Sequence, residues 1–168
     1  MDTEKITKAI HGDDEALVEY LKSISALMLK MSMGLLGDME QAKDCISETI
    51  ALVYKHRKQV RQVEFFQTWV IRILINECKE ELKKTHRYVA LPEDFDIIEP
   101  VKEDYSYIKD TMEKLPFDLK QIIVLKFYNQ LTFKEISMTL TVPESTIKSR
   151  YALALKKMRV ELEVLNDE

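Results

Sequence analysis

The chain has 168 residues, 32% of them charged, and a formal net charge of −4. Three glycines and four prolines are too few turn-forming residues for an all-β fold and favour long helices with short connections. No apolar run approaches the roughly 18 residues of a membrane span, and the polar, acidic start of the chain is not a signal peptide. We therefore expect an all-α, cytoplasmic protein with no direct membrane insertion.

Apolar residues at steps of three and four predict two helices near the start of the chain. The first is expected over 14–36, with Gly34 and Gly37 ending it, because glycine commonly closes a helix. The second is expected over about 39–57, with charged residues on its polar side. Its buried stripe is predicted to contain Ala42, Ile46, Thr49, Ile50 and Val53.

Residues 55–87 are strongly basic, with nine basic residues against four acidic ones. They begin with a connection over 55–63, predicted to be a flexible loop, and continue as a helix from about 65 to 85. Trp69 is expected to anchor the buried side of this helix. A basic loop beside a polar helix face suits a single strand or a melted segment of DNA. The candidate DNA contacts are Lys55, Arg57, Lys58, Arg61, Arg72, Asn76 and Lys79.

The charge reverses over residues 88–110, which hold seven acidic and two basic residues. Pro92 and Pro100 interrupt the helical period there. We therefore predict an acidic linker at 88–106 that joins two small helical domains, 1–87 and 107–168.

The second domain is predicted to begin with a short helix that stops at Pro116. A second helix is expected over about 117–129, because its apolar residues recur with helical spacing. Its buried residues are predicted to be Leu119, Ile122, Ile123, Leu125 and Phe127.

The stretch 132–159 has the pattern of a helix-turn-helix. Thr132 and Glu135 form a capping box that starts a helix over 133–140. Pro143 suits the first position of the last helix, predicted over about 143–164. Hydrogen-bonding side chains crowd the first turns of that helix, where a recognition helix meets base edges and phosphates. The candidate DNA contacts are Ser145, Thr146, Lys148, Ser149 and Arg150.

The sequence shows no Walker loop, no nucleophile elbow and no grouping of metal-ligating residues. We therefore expect no enzymatic activity, no cofactor and no metal. The negative net charge predicts weak affinity of the isolated chain for DNA, because such binding depends on neutralising phosphates. A larger partner is expected to hold the two basic segments on DNA.

Three motifs, in order, resemble those of bacterial sigma factors of the extracytoplasmic-function type. The stretch GDMEQAKDCISETIALVY (37–54) is similar to part of the family's region 2. The stretch FQTWVIRILIN (66–76) retains further region 2 residues, and LTFKEISMTLTVPESTIKSR (131–150) resembles the helix-turn-helix of region 4. Residues 13–87 and 107–162 would then be regions 2 and 4.

This resemblance implies a promoter-specificity subunit that binds core RNA polymerase and directs transcription initiation at a specific promoter class. Region 2 would dock on the polymerase, with Asp44 and Glu48 as the matching candidates, and would hold open the −10 element. Region 4 would read the −35 element, and the acidic linker would occupy a channel built for RNA. The resemblance also implies promoter DNA and an anti-sigma factor as partners.

Several positions depart from the family pattern. Arginines of the family are replaced by Leu52 and Ile75, and glycines by Thr141 and Ser145. The residues after Arg150 also lack the family's arginines. The lost positive charge predicts weak or unusual promoter contacts.

Two other functions remain open from the sequence. A stand-alone helix-turn-helix regulator would bind a symmetric duplex site as a dimer, without polymerase. A sigma-like adaptor would occupy the polymerase or an anti-sigma factor without starting transcription.

Overall fold

A computed structural model describes residues 3–87 and 106–166, and every regular element in these ranges is a helix. None of these helices combines the length and apolarity needed to cross a membrane. Two short 3-10 turns, Arg57–Gln59 and Val63–Phe65, separate the third and fourth α-helices. The α-helices are α1 (Thr3–His11), α2 (Asp14–Leu36), α3 (Met39–His56), α4 (Phe66–Arg87), α5 (Ser106–Glu113), α6 (Phe117–Phe127), α7 (Phe133–Leu140) and α8 (Glu144–Asn166). The predicted all-α class is confirmed.

Local capping fixes where α2 and α3 begin and end. The Asp13 carboxylate accepts a hydrogen bond from Ala16 N at 3.0 Å, and Asp38 accepts one from Gln41 N at 2.8 Å. Gly37 closes α2 in the left-handed conformation, at φ 73°, and its N–H donates to Met33 O at 2.8 Å. The predicted bounds of α2, 14–36, are confirmed, but only Gly37 ends the helix, since Gly34 lies inside it.

Helix α1 was not expected from the sequence. Ile6, Ala9 and Ile10 are buried on one of its faces, which packs on α2. Ala9 and Ile10 follow Ile6 at three and four residues, which is helical spacing. The stretch is short and otherwise polar, so this apolar pattern was too brief to predict a helix.

The buried stripe of α3 differs from the predicted one. Ala42, Cys45, Thr49 and Val53 are buried, whereas Ile46 is only partly buried and Ile50 is 40% exposed. The prediction for Ile50 was wrong because both Cys45 and Ile50 fit a helical stripe, and the packing of α3 on α2 and α4 buries the side that carries Cys45. Ile50 thus contributes to the exposed surface.

Helices α2, α3 and α4 pack together around aromatic and aliphatic side chains. The rings of Tyr20 and Phe66 lie 5.0 Å apart, and Phe66 is fully buried. Burial raises the pKa of the Tyr20 hydroxyl well above its ordinary value. This core sets the orientation of α4, so the opposite, basic face of the helix is turned to solvent.

Helix α6 is the centre of the second unit and contacts α2, α7 and α8. Leu119, Ile122, Ile123 and Leu125 are buried as predicted. Phe127 is 58% exposed, so that prediction was wrong. Val124 and Tyr128, on either side of Phe127 in the chain, approach α2 at Gly34, whereas the Phe127 side chain points to solvent.

The two helical units are in direct contact. Helix α2 packs against α5 and α6, and α4 packs against α7. One continuous buried cluster includes Leu35 from the first unit and Ile122 from the second. The predicted linker lies outside the described residues except for Ser106, where α5 begins.

Candidate nucleic-acid interface

The helix-turn-helix starts with the predicted capping box. Thr132 N donates to Glu135 Oε2 at 2.7 Å, and Glu135 N donates to Thr132 Oγ1 at 3.2 Å. The Thr132 hydroxyl and backbone N–H both hydrogen-bond to the carboxylate and hold the pKa of Glu135 below its ordinary value. The start of α7, predicted at residue 133, is therefore fixed by local chemistry.

The turn between α7 and α8 is closed by two hydrogen bonds. Val142 N donates to Ser137 O at 3.1 Å, and Ser137 Oγ donates to Val142 O at 2.6 Å. Thr141 adopts the left-handed conformation, at φ 57° and ψ 45°, which a β-branched residue rarely takes. The family's glycine at this position would avoid that strain. The turn therefore adopts the left-handed conformation although Thr141 replaces the family's glycine.

Helix α8 is held against α7 by its apolar side. Ile147 and Ala154 are fully buried, and the Tyr151 ring meets the edge of Phe133 at 5.2 Å. Opposite this side the first turns of α8 face solvent, as the helix-turn-helix pattern predicts for a recognition helix.

The five candidate contacts on α8 are not equally accessible. Ser145, Lys148 and Ser149 are exposed, whereas Thr146 and Arg150 are partly buried. Lys148 Nζ pairs with Glu144 Oε1 at 2.7 Å. This ion pair is exposed, so it costs little to exchange for a phosphate contact.

A second basic surface lies on α4 and the residues before it. Arg72, Asn76 and Lys79 are exposed along one face of α4, as their spacing predicted. Three cations before the helix are also exposed: Lys55, Lys58 and Arg61. Two 3-10 turns give parts of this connection a regular backbone.

Arg57 does not belong to that surface. It is 4% exposed and forms a short ion pair with Asp14. Its Nη2 also donates to Gly12 O at 3.1 Å, and its guanidinium lies 4.6 Å from the centre of the Tyr54 ring. From the sequence, Arg57 was included among the basic residues expected to contact DNA. Its side chain instead points inward and links the end of α3 to the start of α2. We therefore remove Arg57 from the candidate DNA contacts.

A pocket of about 430 Å³ opens beside the basic surface. Such a volume lies within the range of roughly 300–1,000 Å³ typical of pockets that hold a small ligand. Trp69 lines it while its ring stacks on Phe66 at 5.7 Å, so this side chain both packs on the core and faces the pocket. The lining residues are Gln59, Val60, Arg61, Gln62, Phe65, Thr68, Trp69, Arg72 and Met138.

The sequence did not reveal this pocket. Its walls come from the two 3-10 turns, the residues between them, α4 and the distant α7. The available signal was an aromatic pair, Phe65 and Trp69, beside basic residues, which is a composition typical of single-strand binding surfaces.

Asp44 and Glu48 lie on the exposed side of α3, one turn apart. Residues four apart on a helix share a face, so the two carboxylates form one acidic surface. They lie in the middle of α3, whereas the DNA candidates lie at its last turn (Lys55), on the connection that follows, and on α4 and α8.

The two cysteines are free and buried, as expected. Their side chains are hydrogen-bonded to each other between α3 and α4; this raises the pKa of Cys78 and lowers that of Cys45. Among the described residues no group of three or more metal-binding side chains occurs.

Two family models match the chain, one for each helical unit. The model described as Sigma-70 region 2 matches residues 17–88, and the model described as Sigma-70, region 4 matches residues 105–158. The first range contains α3, α4 and the pocket walls except Met138, and the second contains the helix-turn-helix.

Two curated proteins of Bacillus subtilis (strain 168) are similar to the chain. RNA polymerase sigma factor SigV is 25% identical over 137 residues, which cover 79% of this chain and 82% of SigV. ECF RNA polymerase sigma factor SigW is 23% identical over an alignment of 181 residues, covering 95% of each protein.

Two solved structures share the fold. CnrH in complex with the cytosolic domain of CnrY matches with a TM-score of 0.76 and 14% identity, over 97% of both chains. The sigma factor RpoE in complex with the anti-sigma factor NepR from Bartonella quintana matches with a TM-score of 0.70 and 18% identity. That match covers 87% of this chain and 98% of the other.

Proposed function

Because the chain belongs to the sigma-70 family, we propose that it is a promoter-specificity subunit that binds core RNA polymerase and directs initiation at a specific promoter class. The observation that carries this proposal is the presence of both family regions in order, at 17–88 and 105–158. Members of this family are initiation factors rather than enzymes, and we assign the chain no catalytic step of its own. Its place of action is then the cytoplasm, where polymerase and DNA meet.

We assign reading of the −35 element to the start of α8. The exposed side chains of Ser145, Lys148 and Ser149 would enter the major groove or contact phosphates. Thr146 and Arg150 lie at the edge of this surface and are only partly buried, so they remain in the proposed set.

We assign the −10 element to the basic surface of the first unit. The exposed cations would follow the phosphates of a separated strand, and the neighbouring pocket offers the Trp69 ring for a stacked base. The proposed contacts are Lys55, Lys58, Arg61, Arg72, Asn76 and Lys79.

The acidic surface of Asp44 and Glu48 is proposed to bind the polymerase. It is exposed and has the opposite sign to the DNA-binding surfaces, so it suits a basic protein partner. We also propose an anti-sigma protein as a partner. A structurally similar sigma factor has been solved with an anti-sigma factor, which supports this proposal.

Run-off transcription tests the proposed function. Purified chain and core polymerase together should yield a transcript from a defined promoter, and neither alone should do so. An adaptor would bind the polymerase without yielding a transcript, and a stand-alone regulator would retard duplex DNA in a gel without polymerase. Either of those results would refute the proposal.

A substitution on α8 tests the −35 assignment. Lys148→Ala should weaken promoter use by about 1–3 kcal/mol if Lys148 contacts a base. Lys156→Ala, an exposed lysine two turns further along α8, is the matched control and should have little effect. Normal transcription by the Lys148 variant from a promoter that needs the upstream element would contradict the assignment.

A further inference from the structure

The side of α8 that faces solvent changes its chemistry along the helix. Its first two turns carry hydrogen-bonding side chains, and Ser145, Lys148 and Ser149 are exposed there. The next turn on the same side is formed by Ala152 and Leu153, and both are exposed. Neither of these side chains has a hydrogen-bonding group. An apolar turn therefore follows a polar reading surface on one side of the helix.

Helical spacing places Leu153 with the polar candidates rather than with the core. Leu153 follows Ser149 by four residues, and residues four apart lie on the same face of a helix. The fully buried residues Ile147 and Ala154 lie on the side of α8 that packs against the other helices of the unit. Leu153 remains 45% exposed although Ala154 follows it directly in the chain. Its side chain is thus accessible to DNA bound along the exposed side of α8.

Leu153 is close enough to the start of α8 to reach base edges. From Ser145 to Leu153 the helix rises about 12 Å, at 1.5 Å for each of the eight residues. The major groove of B-DNA is about 12 Å wide, so a helix that enters it with its first turn still lies over base pairs at its third turn. The apolar turn therefore falls within the length of helix that the groove can hold.

The base edges in the major groove offer one apolar group. Guanine presents acceptors, cytosine a donor, adenine an acceptor and a donor, and thymine an acceptor together with its C5-methyl group. A leucine placed against a polar edge would remove water from a donor or acceptor without replacing the lost hydrogen bond, which is unfavourable. Against the thymine methyl group, the same contact buries apolar surface on both partners. The apolar turn thus favours thymine over the other three bases.

We propose that Leu153, with Ala152 beside it, selects a thymine in the −35 element by contact with the C5-methyl group. The proposal rests on the proposed function, in which α8 reads this element, and adds the identity of one base. Ser149 and Lys148 keep their proposed contacts, so the selected thymine lies next to the base pairs that they reach. Loss of one buried methyl-sized group should lower promoter use by roughly fourfold.

A promoter library identifies the base that faces the apolar turn. The full chain and core polymerase transcribe promoters with a randomised −35 element, each marked by a barcode in its transcribed region, and the barcodes of the run-off transcripts are sequenced. The parent should favour thymine, on one strand or the other, at one or more positions of the element. Leu153→Ala should lose that preference at one position and keep the preferences elsewhere. An element in which no position prefers thymine on either strand would overturn the proposal.

Replacement of the selected thymine with 2′-deoxyuridine isolates the methyl group, because base pairing is unchanged. With the parent chain below saturation, the deoxyuridine promoter should yield roughly fourfold less run-off transcript. Leu153→Ala should use the two promoters equally, whereas Leu153→Met, which keeps an apolar side chain of similar volume, should still prefer thymine. Equal use of the two promoters by the parent would overturn the proposal, and this comparison needs no protein variant.

Leu155→Ala is the matched control on the same helix. Leu155 is 40% exposed, nearly as much as Leu153, but it follows Tyr151 by four residues, on the side where the Tyr151 ring meets Phe133. This variant should keep the full preference for thymine over deoxyuridine. An equal loss of the preference in both alanine variants would overturn the proposal, because the effect would not depend on the side of α8. The absence of any transcript from the parent would instead refute the proposed function.

Discussion

Arg57 and Arg61 are four residues apart in one basic run, yet the structure gives them opposite roles. Arg57 is buried between α3 and the start of α2, whereas Arg61 is exposed and lines the pocket. Replacing each with alanine therefore separates a structural role from a DNA-binding role. We expect Arg57→Ala to lower the stability of the fold and Arg61→Ala to lower only the affinity for DNA.

The magnitude for Arg57 follows from its contacts. Its charged hydrogen bond to the Gly12 carbonyl contributes about 1.5–3 kcal/mol. The pair with Asp14 adds only about 0–1 kcal/mol, because the Asp14 side chain is 62% exposed and screened by solvent. Stacking over Tyr54 adds about 0.5–1 kcal/mol. Against these, Arg57 Nε and Nη1 are buried with no hydrogen-bond partner in the described structure, at a cost of about 1–3 kcal/mol.

The favourable contacts exceed the cost of the unsatisfied donors, so the net loss for Arg57→Ala centres on about 1.5 kcal/mol in the free energy of unfolding. At this chain length that corresponds to a fall in Tm of roughly 3–6 °C. Arg61→Ala should keep the Tm, since exposed substitutions usually change stability by less than about 0.5 kcal/mol. It should reduce the salt dependence of single-strand binding by about 0.7 in the log–log slope.

Urea and thermal unfolding followed by circular dichroism measure the first effect, and fluorescence titrations with single-stranded DNA at several salt concentrations measure the second. The reasoning would be refuted if Arg57→Ala kept its full stability and lost DNA binding. That result would mean that Arg57 leaves its buried position to contact DNA.

Two further predictions concern the helix-turn-helix. Thr141→Gly should raise the free energy of unfolding by about 1 kcal/mol, because relief of left-handed strain worth roughly 1–3 kcal/mol exceeds the added chain entropy of about 0.4–1 kcal/mol; a thermal scan that shows no rise in Tm would contradict this. The Glu135 carboxylate has a pKa below its ordinary value of 4.5 when folded, so its contribution is complete above that value and is lost as the pH falls through the folded pKa. Glu135→Gln should therefore be less stable than the parent at pH 7 by a few tenths of a kcal/mol, since the group is exposed, and in urea titrations the difference should shrink as the pH is lowered through the folded pKa.

Much of the local structure could be predicted from the sequence because its causes are local. Asp13, Gly37 and the pair Thr132 and Glu135 set helix ends through hydrogen bonds within a few residues, and the bounds of α2 and α7 were predicted correctly. The basic face of α4 also followed from spacing alone, since a helix has a fixed period.

The wrong predictions concern residues whose burial depends on how several helices pack together. Ile50 and Cys45 both fit a helical stripe, and only the position of α4 decides which of them is buried. Phe127 is as apolar as its neighbours, but its exposure depends on where the surrounding helices end. The burial of Arg57 required α1 and α2 to be in place, so a charge count could not reveal it.

The sequence by itself determined the helices after α1, several of their caps and the order of the two regions, since these depend on side chains close together in the chain. Only the tertiary structure decided which cations face solvent, where the pocket lies and that Met138 lines it. Those features join residues 59–72 to residue 138, and no local pattern encodes a contact of such long range. The physical reason is that burial and access are properties of the packed whole, whereas propensity and capping are properties of a few residues.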